Sequence, residues 1–387
     1  MPGLATILNG HFISKRRLFS FFLILQGIQP IFGQTHSFSG TIGKYPVYLQ
    51  FTQKGSEVTG TYFYKSKLID IPLSGSLKAG VITLKSLDLS GEIAENPESF
   101  RFKWPAKTAE GTWSYNGKSS TFKLKALTPQ ETGSSKLSNP YIQKERSDAN
   151  TLTQVKIGLF RLKETDSVKT INHIRIRQFE ETHTGISLFR IDSGLVASKQ
   201  TDANYYLEYL HLSEFLEALN CASYSPGASD FSYNVSDIGL SDDLISFNVF
   251  CTYFCGGAHP NEDNYGVNYN LSTKERISPS DFIVPNKEDV FDERVYSYLE
   301  KMNPELFDVN EQTVSDNVYT DCEYHKKELW QIASCDFVLT SEGLKLLPSF
   351  PHFAAFCMDP EWAVVPYSEL KDLIKPAFYS NLKQLKR

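Results

Sequence analysis

Several signatures of familiar chemistry are missing from this sequence. It contains no Gly-x-Ser-x-Gly nucleophile elbow, no phosphate-binding P-loop and no His-Glu-x-x-His zinc motif. Basic residues are in the minority, with 39 Lys and Arg against 45 Asp and Glu and a formal charge of −6. Nucleic-acid-binding proteins normally carry a basic surface. These absences argue against the common hydrolase, nucleotide-binding and metalloprotease classes, and against a nucleic-acid partner.

Cysteine is absent from the N-terminal half of the chain. The cysteines are Cys221, Cys251, Cys255, Cys322, Cys335 and Cys357. In an oxidising compartment their even number permits three disulfides and 15 connectivities. Cys322 and Cys335 are close in sequence without lying on one continuous strand, so we expect this pair to bond. Cys251 and Cys255 would lie about 13 Å apart on one face of a strand, too far to bond each other.

An uninterrupted apolar run of membrane-spanning length is also absent. Three basic residues at 15–17 precede an apolar stretch at 18–25, and Gly33-Gln34 offers a small residue for cleavage. A spanning helix needs about 20 apolar residues, whereas this order is typical of a secretory signal peptide. We therefore predict a signal peptide at residues 1–34 and a secreted or periplasmic protein with no membrane span after cleavage. An uncleaved anchor is the alternative. No cysteine follows the apolar run, which argues against a lipoprotein.

What the sequence does contain favours β-structure in its first part. Residues 35–127 form a series of short alternating segments with turn signals between them, such as Asn116-Gly117. This pattern predicts an all-β antiparallel barrel or sandwich domain. Trp104 and Trp113 suit either a ligand platform or, as we prefer, the core. Residues 128–153 are polar, contain two prolines and show no periodicity, so we predict an unstructured linker there.

The remaining residues, 154–387, mix both kinds of element. We predict a strand at 155–162, a broadly apolar helix at 202–220 and a second helix at 287–302. Two alternating segments at 247–255 and 265–271 predict a long β-hairpin, joined by a polar loop at 256–264. Runs of helices and antiparallel strands without regular βαβ alternation indicate an α+β domain, with an antiparallel sheet and flanking helices.

The hairpin carries a resemblance to a known family. The matching segments are Tyr-Phe-Cys-Gly-Gly-Ala-His-Pro-Asn at 253–261, Asn-Tyr-Asn-Leu at 268–271, Ser-Asp-Phe at 280–282, Phe-Val-Leu at 337–339 and Val-Val-Pro-Tyr-Ser-Glu-Leu at 364–370. Over about residues 140–375 the chain resembles the RsiV/PdaC-type extracytoplasmic domain family. Its members include the ectodomain of a lysozyme-sensing anti-sigma factor and the non-catalytic part of a peptidoglycan deacetylase. The resemblance implies an envelope protein that binds a lysozyme-like protein or peptidoglycan.

The loop Gly256, Gly257, Ala258, His259, Pro260 and Asn261 is our candidate structural or binding site. Its glycine pair suggests positive φ. Cys251, Cys255 and His259 recur every four residues, which would gather metal ligands on a helix. The β-branched and aromatic context disfavours that helix, so we expect no metal and no cofactor. His259 would serve as a general base beside Glu262 or Asp263, or would hold the hairpin tip through backbone hydrogen bonds, the interpretation we prefer.

Three functions are compatible with these features. The first, which we favour, is a non-catalytic binding or sensing protein of the cell envelope. The second is a hydrolase of envelope polymers that uses His259 and nearby carboxylates. The third is a structural or assembly protein without a soluble ligand. After removal of residues 1–34 the chain has 36 basic and 45 acidic residues, a charge of −9, which suits a cationic partner.

Overall fold

The computed structural model describes residues 33–132, 137–225, 230–307 and 322–386. Nearly all of the predicted signal peptide lies outside these residues, and the first strand begins at Gln34. No helix within these ranges is long and apolar enough to cross a membrane.

The first part of the chain is a closed barrel of eight antiparallel strands. They are β1 Gln34–Ile42, β2 Tyr45–Lys54, β3 Glu57–Tyr64, β4 Ile71–Lys78, β5 Val81–Ser86, β6 Ser99–Lys103, β7 Thr108–Tyr115 and β8 Lys118–Ala126. Each strand pairs with the next, and β1 pairs with β8 to close the barrel. Along β2 the side chains of Val47, Leu49 and Phe51 are buried, as the alternation predicts. The predicted all-β domain is confirmed, as a barrel.

Aromatic side chains fill the barrel, and Trp104 is one of them. Its ring is 8 % exposed and meets Phe51 edge-on at 5.1 Å between ring centroids. Trp113 is only partly buried, and its indole N–H donates to Glu98 at 2.8 Å. At the β7–β8 turn Asn116 and Gly117 both have positive φ, 47° and 71°, as a two-residue hairpin turn requires.

The segment predicted to be an unstructured linker contains helices, so that prediction is wrong. Helix α1 spans Pro140–Asp148, and α2 spans Thr151–Leu159 in place of the expected strand at 155–162. The side chains of Asn139 and Asn150 cap the two helices by accepting backbone N–H hydrogen bonds. Val155 and other apolar residues of both helices pack against the barrel. The division into a β domain and an α+β domain stays a prediction.

A three-stranded sheet and the longest helix follow. The strands are β9 Leu162–Ile171, β10 Ile174–Glu181 and β11 Ser187–Ser193, in the order β11-β10-β9. Helix α3 spans Ala197–Tyr224, which confirms and extends the helix predicted at 202–220. Its apolar stripe packs on the central hairpin, where Tyr206 stacks on Tyr269 at 3.8 Å.

The predicted hairpin is confirmed as the centre of a four-stranded sheet. The strands are β12 Asp230–Leu240, β13 Leu244–Phe254, β14 Asn261–Asn270 and β15 Glu275–Arg276. Strand β14 begins at Asn261, so the connecting loop is shorter than the predicted 256–264. Both faces of β13 are covered: Phe247 meets Phe189 of β11, while Ser246 accepts the Leu339 backbone N–H on the opposite side.

The C-terminal part covers that second face of the hairpin. Its helices are α4 Pro279–Phe282, α5 Glu288–Met302, α6 Pro304–Phe307 and α7 Pro376–Leu382, with 3-10 turns at Lys327–Trp330, His352–Cys357 and Lys383–Lys386. Its sheet consists of β16 Asp336–Leu339, β17 Leu344–Leu347 and β18 Val364–Val365. Helix α5 confirms the one predicted at 287–302. The α+β class of this region is therefore confirmed.

The predicted Cys322–Cys335 disulfide is wrong. Cys322 bonds Cys357, Cys221 bonds Cys255, and Cys251 and Cys335 are buried free thiols. Closeness in sequence did not translate into closeness in space, because the 3-10 turn with buried Trp330 separates Cys322 from Cys335 at the start of β16. Two disulfides form instead of the three that six cysteines permit.

Candidate functional site

The loop between β13 and β14 is held in a conformation that favours glycine. Gly256 and Gly257 have φ of +92° and +111°. A Cβ on Gly256 would lie 3.6 Å from the carbonyl oxygen of Tyr224, whereas one on Gly257 would meet nothing within 4 Å. Gly257 is therefore required for its backbone angle rather than for space.

The Cys221–Cys255 disulfide fixes this loop to the end of α3. Its two Cα atoms lie 4.5 Å apart, and the bond joins residues separated by 34 positions. Gly256 lies beside Tyr224 and Ser225 at the C-terminus of the same helix. The start of the loop thus has a covalent anchor, while residues 257–260 are exposed.

His259 lies on the exposed part of the loop. Its Nδ1 is 3.1 Å from the carbonyl oxygen of Pro260, the next residue. Asn261 pairs with Tyr253 as the first residue of the β13–β14 ladder. A hydrogen bond from His259 to the backbone is the type of contact expected if this side chain shapes the hairpin tip. The role of the loop in binding stays a prediction.

A cleft of about 420 Å³ lies at the base of the loop, between α3 and the hairpin. We call it the hairpin cleft. Its lining is rich in carboxylates and aromatic rings and includes the disulfide: Glu214, Glu217, Asn220, Cys221, Tyr224, Phe231, Cys251, Tyr253, Cys255, Asp263 and Tyr265. The cleft therefore joins Cys255, the anchor of the predicted loop, to α3 side chains that the sequence did not connect to it, whereas residues 256–261 are not part of its lining.

Glu214 is the most enclosed carboxyl group of the hairpin cleft. The Tyr265 hydroxyl donates to its Oε1 at 2.8 Å. Burial raises the pKa of Glu214, and the charges of Glu217 and Asp263 raise it further, although the tyrosine hydrogen bond opposes them. Glu214 was missed at the sequence level. The available signal was its spacing, because residues 214, 217 and 221 follow one another at helical intervals and so share a face of α3.

The lining of the hairpin cleft combines aromatic rings, carboxylates and one free thiol. Aromatic rings beside carboxylates suit sugars and cationic side chains, which need a flat apolar surface and acceptors together. Burial raises the pKa of the Cys251 thiol, so this group is a poor nucleophile. Across the described parts of the chain, no three His, Cys, Asp or Glu side chains are grouped so as to hold a metal ion.

A larger cleft of about 880 Å³ lies elsewhere, along α5 and β16. Its walls include Arg276, Asp289, Asp292 and Asp336. Burial raises the pKa of Asp292, whose carboxylate accepts the backbone N–H of Ile332 at 3.0 Å. Residues 256–261 line neither cleft. We place the candidate site at the hairpin cleft, despite its smaller volume, because its lining includes Cys255, which anchors the loop, and Asp263, which follows it.

Comparison with known proteins gives only distant likenesses. No family model matches the chain, and no curated protein matches it. A DUF3298 family protein from Pseudomonas aeruginosa PAO1 has 14% sequence identity and a TM-score of 0.34, over 58% of this chain and 95% of that one. A DUF3298 family member from Bacteroides fragilis NCTC 9343 has 12% identity and a TM-score of 0.35, over 58% of this chain and 97% of that one. Similarity at this level does not define a function.

Proposed function

We propose that this chain is a non-catalytic binding or sensing protein of the bacterial cell envelope, and that its partner contacts the hairpin cleft. The observation that carries the proposal is the pairing of carboxylates with aromatic rings beside the disulfide-anchored loop. The two disulfides are expected of a protein that works in an oxidising compartment. The predicted signal peptide and the RsiV/PdaC-type motifs support the same location.

The chemistry of the cleft rim suggests the kind of partner. Glu217 and Asp263 are exposed, and Tyr224 at the end of α3 is 60% exposed. Exposed carboxylates pair with Lys and Arg side chains, and an aromatic ring next to them adds cation–π or sugar-stacking contact. A cationic protein such as lysozyme is the partner that we favour, with peptidoglycan as the second candidate. The net negative charge would speed encounter with a cationic partner.

Binding to immobilised protein tests this proposal directly. We expect residues 35–387 to bind c-type lysozyme in biolayer interferometry, and binding to weaken with added salt as charge pairs are screened. Tyr224→Ala and Asp263→Asn should each reduce affinity about tenfold, about 1.4 kcal/mol. The matched control is Tyr45→Ala, because Tyr45 is a comparably exposed ring (55%) on the barrel. Equal loss in the control would place the contact away from the hairpin cleft.

The same protein separates the alternative functions. Binding to purified peptidoglycan but not to lysozyme would identify the second ligand. Release of labelled fragments from peptidoglycan, lost in His259→Ala or Glu214→Gln, would establish the hydrolase alternative and refute the non-catalytic proposal. If the protein binds neither lysozyme nor peptidoglycan but co-purifies with another envelope protein, that result would favour an assembly role.

A further inference from the structure

A buried arginine on the β9–β11 sheet forms no ion pair with any side chain in the part of the chain that the structure describes. Arg190 lies in β11 and is 7% exposed. Its Nη1 donates to the carbonyl oxygen of Phe189 at 2.9 Å, and its Nη2 donates to His211 Nδ1 at 3.3 Å. Both acceptors are neutral, and no carboxylate of the described residues forms an ion pair with it. A buried cation normally has a paired anion, since its desolvation is otherwise uncompensated.

The histidine beside Arg190 cannot supply the missing charge. His211 is fully buried on α3, and its Nε2 donates to the carbonyl oxygen of Ile186 at 2.8 Å. Its Nδ1 is therefore left as an acceptor for the arginine. Burial and the neighbouring Arg190 lower the pKa of His211 to about 4, which keeps the ring neutral. The histidine orients the guanidinium without neutralising it.

The sheet register places a second positive charge next to Arg190. Arg177 of β10 lies directly opposite Arg190. Arg177 is compensated, because it forms ion pairs with Glu164 at 2.9 Å and Asp192 at 3.5 Å. Like charges opposite each other destabilise a sheet. The fold thus retains two facing arginines and neutralises only one of them.

Arg190 forms part of the wall of a cleft of about 480 Å³ between the sheet and α3, which we call the arginine cleft. Other parts of the wall are apolar, with Leu162 and Phe179, or acidic, with Glu208 on α3. Burial lowers the pKa of Arg190 to about 10, and the charge of Glu208 opposes that shift and favours the charged form. The volume lies within the range of small-molecule sites, and the apolar surface can take the body of a ligand.

We propose that the arginine cleft binds a small monocarboxylate, whose carboxylate pairs with the Arg190 guanidinium and whose apolar part lies against Leu162 and Phe179. A guanidinium matches a carboxylate in geometry and forms its strongest hydrogen bonds with one. The acidic side chains at the cleft would repel a second negative charge, so the site selects a singly charged ligand. This inference goes beyond the proposed function and does not depend on it.

Two probes of the same shape test the need for the charge. We expect N-acetyl-L-leucine, but not the neutral N-acetyl-L-leucinamide, to raise the melting temperature of residues 35–387 and to give a calorimetric binding signal. Equal responses to acid and amide, or no response to the acid, would overturn the proposal. Free L-leucine is a third probe that distinguishes two sources of the carboxylate. If it binds as well as N-acetyl-L-leucine, the ligand is a free amino acid; if only the acetylated form binds, the ligand is a peptide carboxyl terminus.

Variants test the residue assigned. Arg190→Met should abolish the response to N-acetyl-L-leucine, and Arg190→Lys should weaken it about tenfold because the planar fork is lost. Glu208→Gln should strengthen binding, since it removes the competing charge. The control is Arg294→Met, which removes an exposed arginine of α5 that forms an ion pair with Asp372. If Glu208 instead held Arg190 in place through a structural contact, Glu208→Gln would leave the binding of N-acetyl-L-leucine unchanged or reduce it. That result would refute the assignment.

Discussion

Loss of the Cys221–Cys255 bond is the perturbation that most directly tests how the candidate site is held. Replacing both cysteines with alanine removes the covalent link between the end of α3 and the start of the loop. The exposed loop residues 257–260 contribute little packing of their own. We therefore expect the double variant to be less stable and its hairpin cleft to be less well formed.

The size of the effect follows from the loop that the bond closes. In the chain-entropy treatment, the unfolded state loses more freedom as the closed loop grows. A separation of 34 residues corresponds to about 4 kcal/mol at 25 °C by that relation. Real bonds often give less, so we expect a decrease of about 2–4 kcal/mol in the free energy of unfolding.

Urea unfolding followed by circular dichroism measures this difference. The single variant Cys335→Ala is the matched control, because it removes a buried cysteine that forms no disulfide and does not line the hairpin cleft. It should show only the smaller cost of lost packing, about 1 kcal/mol. A double variant that unfolds within about 0.5 kcal/mol of the wild type would show that packing alone fixes the loop. Lysozyme binding should weaken in the double variant and persist in Cys335→Ala.

Three further predictions concern the same region. Gly257→Val should lower the free energy of unfolding by about 1–3 kcal/mol through backbone strain, because φ is +111° while the space is open; a neutral result in urea unfolding would contradict it. His259→Ala should change stability by less than about 1 kcal/mol, since the side chain is exposed, and should remove no turnover; loss of an activity would reverse our interpretation. Glu214 has a raised pKa in the folded state, so its stabilising contribution is present at low pH and is lost as pH rises through that value. Unfolding of Glu214→Gln from about pH 4 to pH 8 should lack this decline, and parallel profiles of variant and wild type would refute the buried-carboxyl argument.

Patterns with a strict local period could be predicted from the sequence. The barrel follows from alternation such as Val47, Leu49 and Phe51, and its β7–β8 turn follows from Asn116-Gly117. The central hairpin shows the same alternation, with Phe247 and Val249 buried on one face. In these segments each side chain's place depends mainly on its neighbours two positions away, so one sequence contains enough information.

The errors come from features that depend on distant partners. Helix α1 has few apolar residues, whereas the short helix α2 has apolar side chains at Leu152, Val155, Ile157 and Leu159. Both helices are stabilised by contact with the barrel and with α3. The ion pair between Lys156 of α2 and Asp70 of the barrel, at 2.8 Å, is an example of such a contact. Disulfide partners are equally non-local, because Cys357 lies 35 residues beyond Cys322. Composition alone indicated a linker because it does not show what those residues pack against.

Helix α3 contributes side chains to both the arginine cleft and the hairpin cleft. Asn204, Tyr205 and Glu208 line the arginine cleft, whereas Glu214, Glu217 and Cys221 line the hairpin cleft. At about 100° per residue, these two sets point in directions roughly 150° apart around the helix, and their centres are separated by about 15–20 Å along its axis. A small ligand in one cleft therefore does not reach the other. The two binding tests can accordingly be scored separately: loss of lysozyme binding in Tyr224→Ala does not predict loss of the carboxylate response, and Arg190→Met should leave lysozyme binding intact.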